Sequence, residues 1–271
     1  MSDCGKKVRL NRIVRPGRKS LVVAFDHALV LGPIPGTENP AEQVRHFTDA
    51  GVDAVLLSLG LIRGCLDSLL GSSMPGIIAR IDWTTLWGMP GGDASGDLRS
   101  CLLARPEDAM HHGADAVITY LAVGTGDAEF ETKEVARNAE VARECERIGM
   151  PLIIETLARG KNAKNPSDPK WLKLHTRMAA ELGADLVKTD YAGDPESMRS
   201  VVENCPIPIL VLGGSRYSSD AEALALIHGV AAAGAAGVFF GRNVFQADDM
   251  LALLRHARAA LNEPEKSPAG R

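Results

Sequence analysis

The stretch "LGADLVKTDYAG" (residues 182–193) decides how the chain is read. It closes a helical pattern, turns at Gly183 and continues as an apolar run that carries Lys188 and, two residues on, Asp190. Glycine, then a small residue, then a strand is what a tight helix-to-strand turn requires, because glycine adopts the left-handed conformation without a Cβ clash. The same junction recurs at "AGVDAV" (50–55), "HGADAV" (112–117) and "AGAAGV" (233–238). This recurrence predicts strand–helix alternation along the chain. Lys188 poses a separate question, since a lysine in a buried strand is costly unless it is paired or chemically used.

Eight short runs fit the strand pattern, at 20–26, 53–58, 77–82, 115–121, 151–156, 185–190, 208–213 and 236–241. Helical stretches such as "NPAEQVRHFTDAG" and "PKWLKLHTRMAAELG" lie between them. Near-continuous apolar strands imply a parallel sheet buried on both faces. Eight such units in 271 residues predict an α/β protein with a single (β/α)8 barrel, over residues 20–262. No GxGxxG follows the first strand, which argues against an open dinucleotide-binding sheet. Residues 1–19 read as a basic N-terminal arm and residues 263–271 as a flexible tail. The longest irregular stretch, "DWTTLWGMPGGDASGDLRS" (82–100), is expected to be an active-site loop.

Composition narrows the function classes. An apolar fraction of 45% supports a large core, and no window is long and apolar enough to span a membrane. The first twenty residues lack the apolar segment of a signal peptide. The five cysteines are scattered without CxxC spacing, which fits reduced thiols in a cytoplasmic protein and disfavours a disulfide framework or a zinc site. No other cluster has metal-ligand spacing, and no cofactor is implied. A net charge of −4 makes nucleic acid an unexpected partner. Lys6, Lys7, Arg9, Arg12, Arg15, Arg18 and Lys19 nonetheless crowd the first nineteen residues. They read as a solvated arm, a subunit contact or an arm holding anionic substrate.

In a barrel of this kind, chemistry belongs at the C-terminal ends of the strands. Those ends carry Asp26, His27, Ser58, Asp82, Tyr120, Glu155, Lys188, Asp190, Gly213 to Ser215 and Gly241 to Asn243. The last two strand-to-helix junctions, "VLGGSR" and "FFGRNVF", are glycine-rich. Loops at these positions often cradle phosphate through backbone N–H groups, with Ser215 and Arg242 adding a hydroxyl and a charged fork. Beside them, Lys188 is either a structural lysine paired with Glu155 or Asp190, or a nucleophile for a carbonyl, because burial favours the neutral amine.

Four segments, "VAFDHALVLGP", "GADLVKTDYAGDPESMRSVV", "VLGGS" and "GVFFGRNVFQ", together resemble the archaeal-type class I fructose-bisphosphate aldolases. The relatives of that family include amino-dideoxy-heptulosonate synthases and the thiolase that processes phosphorylated autoinducer-2. The resemblance covers about residues 20–250 and implies that Lys188 forms a Schiff base with a phosphorylated sugar or keto substrate. It implies that Asp26 acts on substrate hydroxyls and protons, and that Gly213, Gly214, Ser215, Gly241 and Arg242 hold phosphate. It also implies a homo-oligomer, since members of the family commonly form rings.

The fifth strand departs from the family. Where the aldolases and synthases carry a proton-transferring tyrosine before Pro-Arg-Gly, this chain has "IIETLARGK", with Leu157 in the tyrosine's place. The thiolase relative also lacks that tyrosine. Side chains two apart on a strand share a face, so Glu155 projects beside position 157 and is a candidate acid–base group, or else a counter-ion for Lys188. Tyr120 is a second candidate. Arg80 and Asp82, on one face of strand three, either bind substrate or neutralise each other; His27 either touches substrate or is structural. Asp194 and Glu196 read as helix-start residues. The expected function is a Schiff-base aldolase. The rivals are a thiolase or synthase using the same lysine, a non-catalytic phosphate-binding barrel, and, more weakly, an isomerase.

Overall fold

The computed structural model describes residues 4–71, 74–87 and 98–262. Eight parallel strands close on themselves: β1 (Ser20–Ala24), β2 (Ala54–Ser58), β3 (Gly76–Arg80), β4 (Ala116–Val123), β5 (Leu152–Ala158), β6 (Leu186–Thr189), β7 (Ile209–Leu212) and β8 (Gly237–Phe240). Each pairs with its neighbours in sequence, and β8 returns to β1 with Ser20 opposite Gly237. Each of the eight predicted runs therefore overlaps a barrel strand. The junction glycines Gly51, Gly113, Gly183 and Gly234 all have positive φ, as the tight turns require.

The longer helices are α1 (Cys4–Ile13), α2 (Pro40–Asp49), α3 (Ala128–Ile148), α4 (Pro169–Glu181), α5 (Pro195–Asn204), α6 (Asp220–Ala232) and α7 (Met250–Asn262). Their starts follow local chemistry. Asp127, Asp168, Asp194 and Ser219 each accept a backbone N–H of the first turn, and α2, α4 and α5 have Pro in that turn. Asp194 is thus the helix-start residue expected of it, 2.9 Å from the Ser197 N–H.

Alternation along the strands sorts side chains into two cores. One face, with Val23, Val55, Ala79, Val117, Ile154, Val187, Val211 and Val238, packs against the helices. The other face points into the barrel and is filled by Val22, Ala24, Ala54, Leu56, Ile78, Ala116, Ile118, Ile153, Leu186, Leu210 and Phe239. Each fully buried Val, Leu, Ile or Phe among them contributes roughly 1.5–3 kcal/mol. Two residues further along the same inward face, Ala24, Ile78, Ile118, Ile153 and Leu186 give way to Asp26, Arg80, Tyr120, Glu155 and Lys188. The apolar barrel thus has a polar top.

The basic N-terminal segment is folded against the barrel. Ile13, fully buried, joins the interior cluster at the strand N-terminal end. Lys6 Nζ lies 3.0 Å from Asp185, Arg12 Nη1 lies 2.6 Å from Asp115, and Arg18 Nη2 lies 3.1 Å from Asp53. These aspartates precede β6, β4 and β2 and each also accepts a backbone N–H, from Leu152, Ile77 and Leu21. The segment therefore closes the end of the barrel opposite the strand C-termini. Of the three readings, an arm holding substrate at those C-termini does not fit this position, and the cations named are paired with carboxylates. Carboxylates at three strand starts draw its cations there.

The stretch expected to be one long loop begins and ends as structure. Asp82–Thr84 pairs antiparallel with Ser100–Leu102, and residues 88–97 between them lie outside the described residues, as does the 263–271 tail. No helix among the described residues is long and apolar enough to cross a membrane.

Candidate active site

A cavity of about 270 Å³ opens at the C-terminal ends of the strands. Lys188, Asp26, Glu155, Tyr120 and His27 line it, together with Gly213, Gly214, Ser215, Gly241 and Arg242. Residues assigned from the sequence to nucleophile, acid–base and phosphate roles thus meet around one space. The register explains the first group: Tyr120 sits opposite Glu155, and Glu155 opposite Lys188, in one row across β4, β5 and β6.

Lys188 Nζ is 2.8 Å from Glu155 Oε1 and 4.6 Å from the centre of the Phe239 ring. The other Glu155 oxygen accepts from the Arg80 guanidinium, whose Nε donates to Asp26 at 2.8 Å. Arg80 is fully buried and stacks on the Tyr120 ring, 3.8 Å from its centre. One guanidinium therefore ties the carboxylates of β1 and β5 together, and Glu155 bridges it to the lysine.

Burial alone would push the Glu155 and Asp26 carboxyls up. The charges of Lys188 and Arg80 outweigh it at Glu155, and those of Arg80 and Lys188 outweigh it at Asp26, so both lie below the usual carboxylate range. Burial, only partly offset by Arg80, pushes the Tyr120 phenol well above its usual range, which keeps it protonated and makes it a poor proton donor. Burial pushes His27 down to about 4, so the imidazole is neutral near pH 7. Its Nδ1 has no hydrogen bond among the described residues, and its ring lies edge-on to Phe245 at 5.3 Å.

Strand alternation leaves Arg80 and Asp82 as either a substrate-binding pair or a mutually neutralising one. Neither is among the residues lining the cavity. Their mutual contact is long, 3.4 Å, while Asp82 lies 2.9 Å from Arg137 and accepts the Tyr120 N–H at 2.7 Å. Arg137 in turn pairs with Glu134 at 2.7 Å. The chain leaves β3 at Arg80 and turns into the short antiparallel strand, which carries Asp82 behind the wall toward α3.

The opposite rim is built from backbone. Gly214 has φ +68°, a conformation suited to glycine. A Cβ on Gly241 would come within 2.2 Å of the His27 ring, so glycine is required there by close approach. Asn243 donates to Gly213 O at 2.9 Å and Ser215 O at 3.0 Å and accepts the Tyr217 N–H at 2.8 Å, fixing the β7 turn from the β8 turn. The glycine motif contains Asn243, but its bracing role emerges only once the two turns are side by side. Arg242 projects along this rim with Nε unpartnered and no ion pair among the described residues.

Arg159 also lines the cavity, on the β5 side. Its guanidinium grips Asp190 at the end of β6 with two hydrogen bonds, of 2.9 and 3.2 Å. Asp190 itself faces a neighbouring open groove.

A closed eight-stranded barrel with a buried lysine in its sixth strand, beside glycine turns after the seventh and eighth, defines an aldolase-type barrel. The family model described as "DeoC/LacD family aldolase" matches residues 20–247, and the chain belongs to that family. It is 35% identical over 246 residues to the 2-amino-3,7-dideoxy-D-threo-hept-6-ulosonate synthase of Halobacterium salinarum, covering 91% of this chain and 87% of that protein. It is 31% identical over 250 residues to the fructose-bisphosphate aldolase class 1 of Thermoproteus tenax, covering 90% of each. Among solved structures it is similar to an archaeal fructose-1,6-bisphosphate aldolase whose catalytic lysine is bound to the carbinolamine intermediate of the substrate. That likeness has a TM-score of 0.83 at 27% identity and covers 95% of this chain and all of that one. The protein is class I aldolase-like.

Proposed function

We propose that the protein is a Schiff-base aldolase for a phosphorylated ketose or keto compound, with Lys188 as nucleophile. The contact between Lys188 and Glu155 inside the cavity carries this reading. To attack a carbonyl the ammonium must lose a proton, and the group in hydrogen-bond reach is the Glu155 carboxylate. The free amine adds to the ketone carbon and gives a carbinolamine. Glu155, now carrying the proton, returns it to the departing hydroxyl, water leaves and the iminium forms. The iminium then accepts the electron pair of the breaking C–C bond while a base removes the proton of the cleaved alcohol. Asp26, held ionised by Arg80 and facing the cavity, is assigned that hydroxyl.

Tyr120 is assigned a positioning role beneath Arg80, because its phenol is a poor donor. Neutral His27 contributes a hydrogen bond to substrate. Gly213, Gly214, Ser215, Gly241 and Arg242 hold the phosphate and supply binding energy remote from the reacting carbon. The lysine-bound carbinolamine of the archaeal relative supports the nucleophile assignment. Leu157 favours one second reading, acyl transfer by the same lysine, which dependence on coenzyme A distinguishes.

Borohydride reduction in the presence of dihydroxyacetone phosphate, followed by peptide mass spectrometry, tests the reading. A reduced adduct on Lys188, absent in Lys188→Ala, is the expected result. No adduct under conditions where the sugar phosphate binds equally to both proteins refutes the lysine assignment.

A further inference from the structure

The cavity has two arginines on opposite rims, in opposite electrostatic states. Arg242 has no acidic partner among the described residues and leaves Nε unpaired. Arg159 is held by Asp190 through both terminal nitrogens, a fork-on-fork pairing that uses the geometry by which arginine grips phosphate. Asp190 pulls from outside, since it lines the adjacent groove rather than the cavity. The remaining charges at this end also cancel: Lys188 meets Glu155, and Arg80 meets Asp26 and Glu155. Lys161 and Lys164, on the same loop as Arg159, are not on the cavity wall.

We infer that Asp190 is a specificity-determining residue that restricts the cavity to substrates bearing a single phosphate. This rests on the phosphate-binding reading above and narrows it. The phosphate lies against Arg242 and the glycine turns. The far end of the substrate, meeting the Arg159–Asp190 pair, is uncharged and hydroxylated. A second phosphate there would have to break the bidentate pair and approach the displaced Asp190 carboxylate.

The test compares fructose 1-phosphate with fructose 1,6-bisphosphate by titration calorimetry. Wild type is expected to bind the bisphosphate no more tightly than the monophosphate. Asp190→Asn frees the Arg159 fork, so its affinity for the bisphosphate rises about tenfold while that for the monophosphate stays within about twofold. The gain disappears in the double variant with Arg159→Gln. Melting temperature and circular dichroism establish that each variant folds, and Asp190→Ser serves the same comparison should Asp190→Asn not fold.

A wild-type preference for the bisphosphate above about tenfold, an unchanged ratio in Asp190→Asn, or no binding of either sugar phosphate overturns the inference. Borohydride trapping with dihydroxyacetone phosphate separates this outcome from the fate of the lysine chemistry. Trapping on Lys188 with an unaltered ratio removes the Asp190 inference alone. Loss of trapping removes the lysine assignment while the ratio still judges Asp190.

Discussion

At the N-terminal end of the barrel, Asp53, Asp115 and Asp185 each take a backbone N–H, and no cation is shared among the three: Arg18 and Arg258 meet Asp53, Arg12 meets Asp115, and Lys6 meets Asp185. At the C-terminal end, Asp26, Asp82 and Glu155 all converge on Arg80, and Glu155 also holds Lys188. The residue types match, but the wiring differs. Three aspartates with no cation in common can be lost one at a time, so the lower end is a set of independent fastenings. A shared arginine couples its partners, so a change at one carboxylate is felt at the others. The upper end is also drier: Arg80 is fully buried, whereas the Arg12 side chain that meets Asp115 is 57% exposed. The difference marks which charges fasten and which serve chemistry.

Three substitutions probe that contrast. Glu155→Gln keeps the shape of the side chain but cannot cycle a proton, and turnover is expected to fall about 10²–10⁴-fold. Sugar-phosphate affinity measured by calorimetry should survive the change; an intact turnover number would show that Glu155 is only a counter-ion. Arg80→Met leaves Asp26 and Glu155 buried without their shared cation, and chemical denaturation should show a loss of about 3–5 kcal/mol. Any activity left in Arg80→Met should carry a shifted pH profile. Arg80 holds both carboxyls low, so removing it raises them, and the acid limb should move to higher pH. Arg12→Ala is the counterpart at the lower end. Its partner Asp115 keeps the Ile77 N–H, and the pair is solvent-screened, so the loss should stay within about 1 kcal/mol and shrink in high salt. A larger loss at Arg12 than at Arg80 would invert the comparison.

The strands were legible because each is apolar on both faces, a pattern that survives without any knowledge of neighbours. Lys188 and the glycine turns stood out for the same reason, as residues that break a local rule. The wiring of Arg80 was not legible. Alternation puts Arg80 and Asp82 on one face only if the strand runs on, and the chain instead turns after Arg80 into the short pair with Ser100–Leu102. Which carboxylates meet Arg80 depends on β1, β3 and β5 closing into one ring, which no window of sequence contains. The Arg159–Asp190 pair was hidden likewise, since its halves end adjacent strands thirty-one residues apart. The cations of residues 6–18 announced an electrostatic partner but not its location. Their three aspartates lie on three separate strand starts.

Helix α1 also constrains the order in which the molecule can be assembled. Lys6 finds Glu146 and Asp185 only after more than a hundred further residues have been made, and Lys19 donates to Ala235 O from a still greater distance along the chain. During synthesis the first helix is therefore exposed while most of its binding surface does not yet exist. Closure of the ring through β1 and β8 joins residue 20 to residue 237, so that contact too must wait. Contacts of such long sequence separation slow folding. A nascent chain halted before Asp185 would carry a cationic helix with one anchoring carboxylate missing and a sheet open at both edges, the form most exposed to pairing with a neighbouring chain.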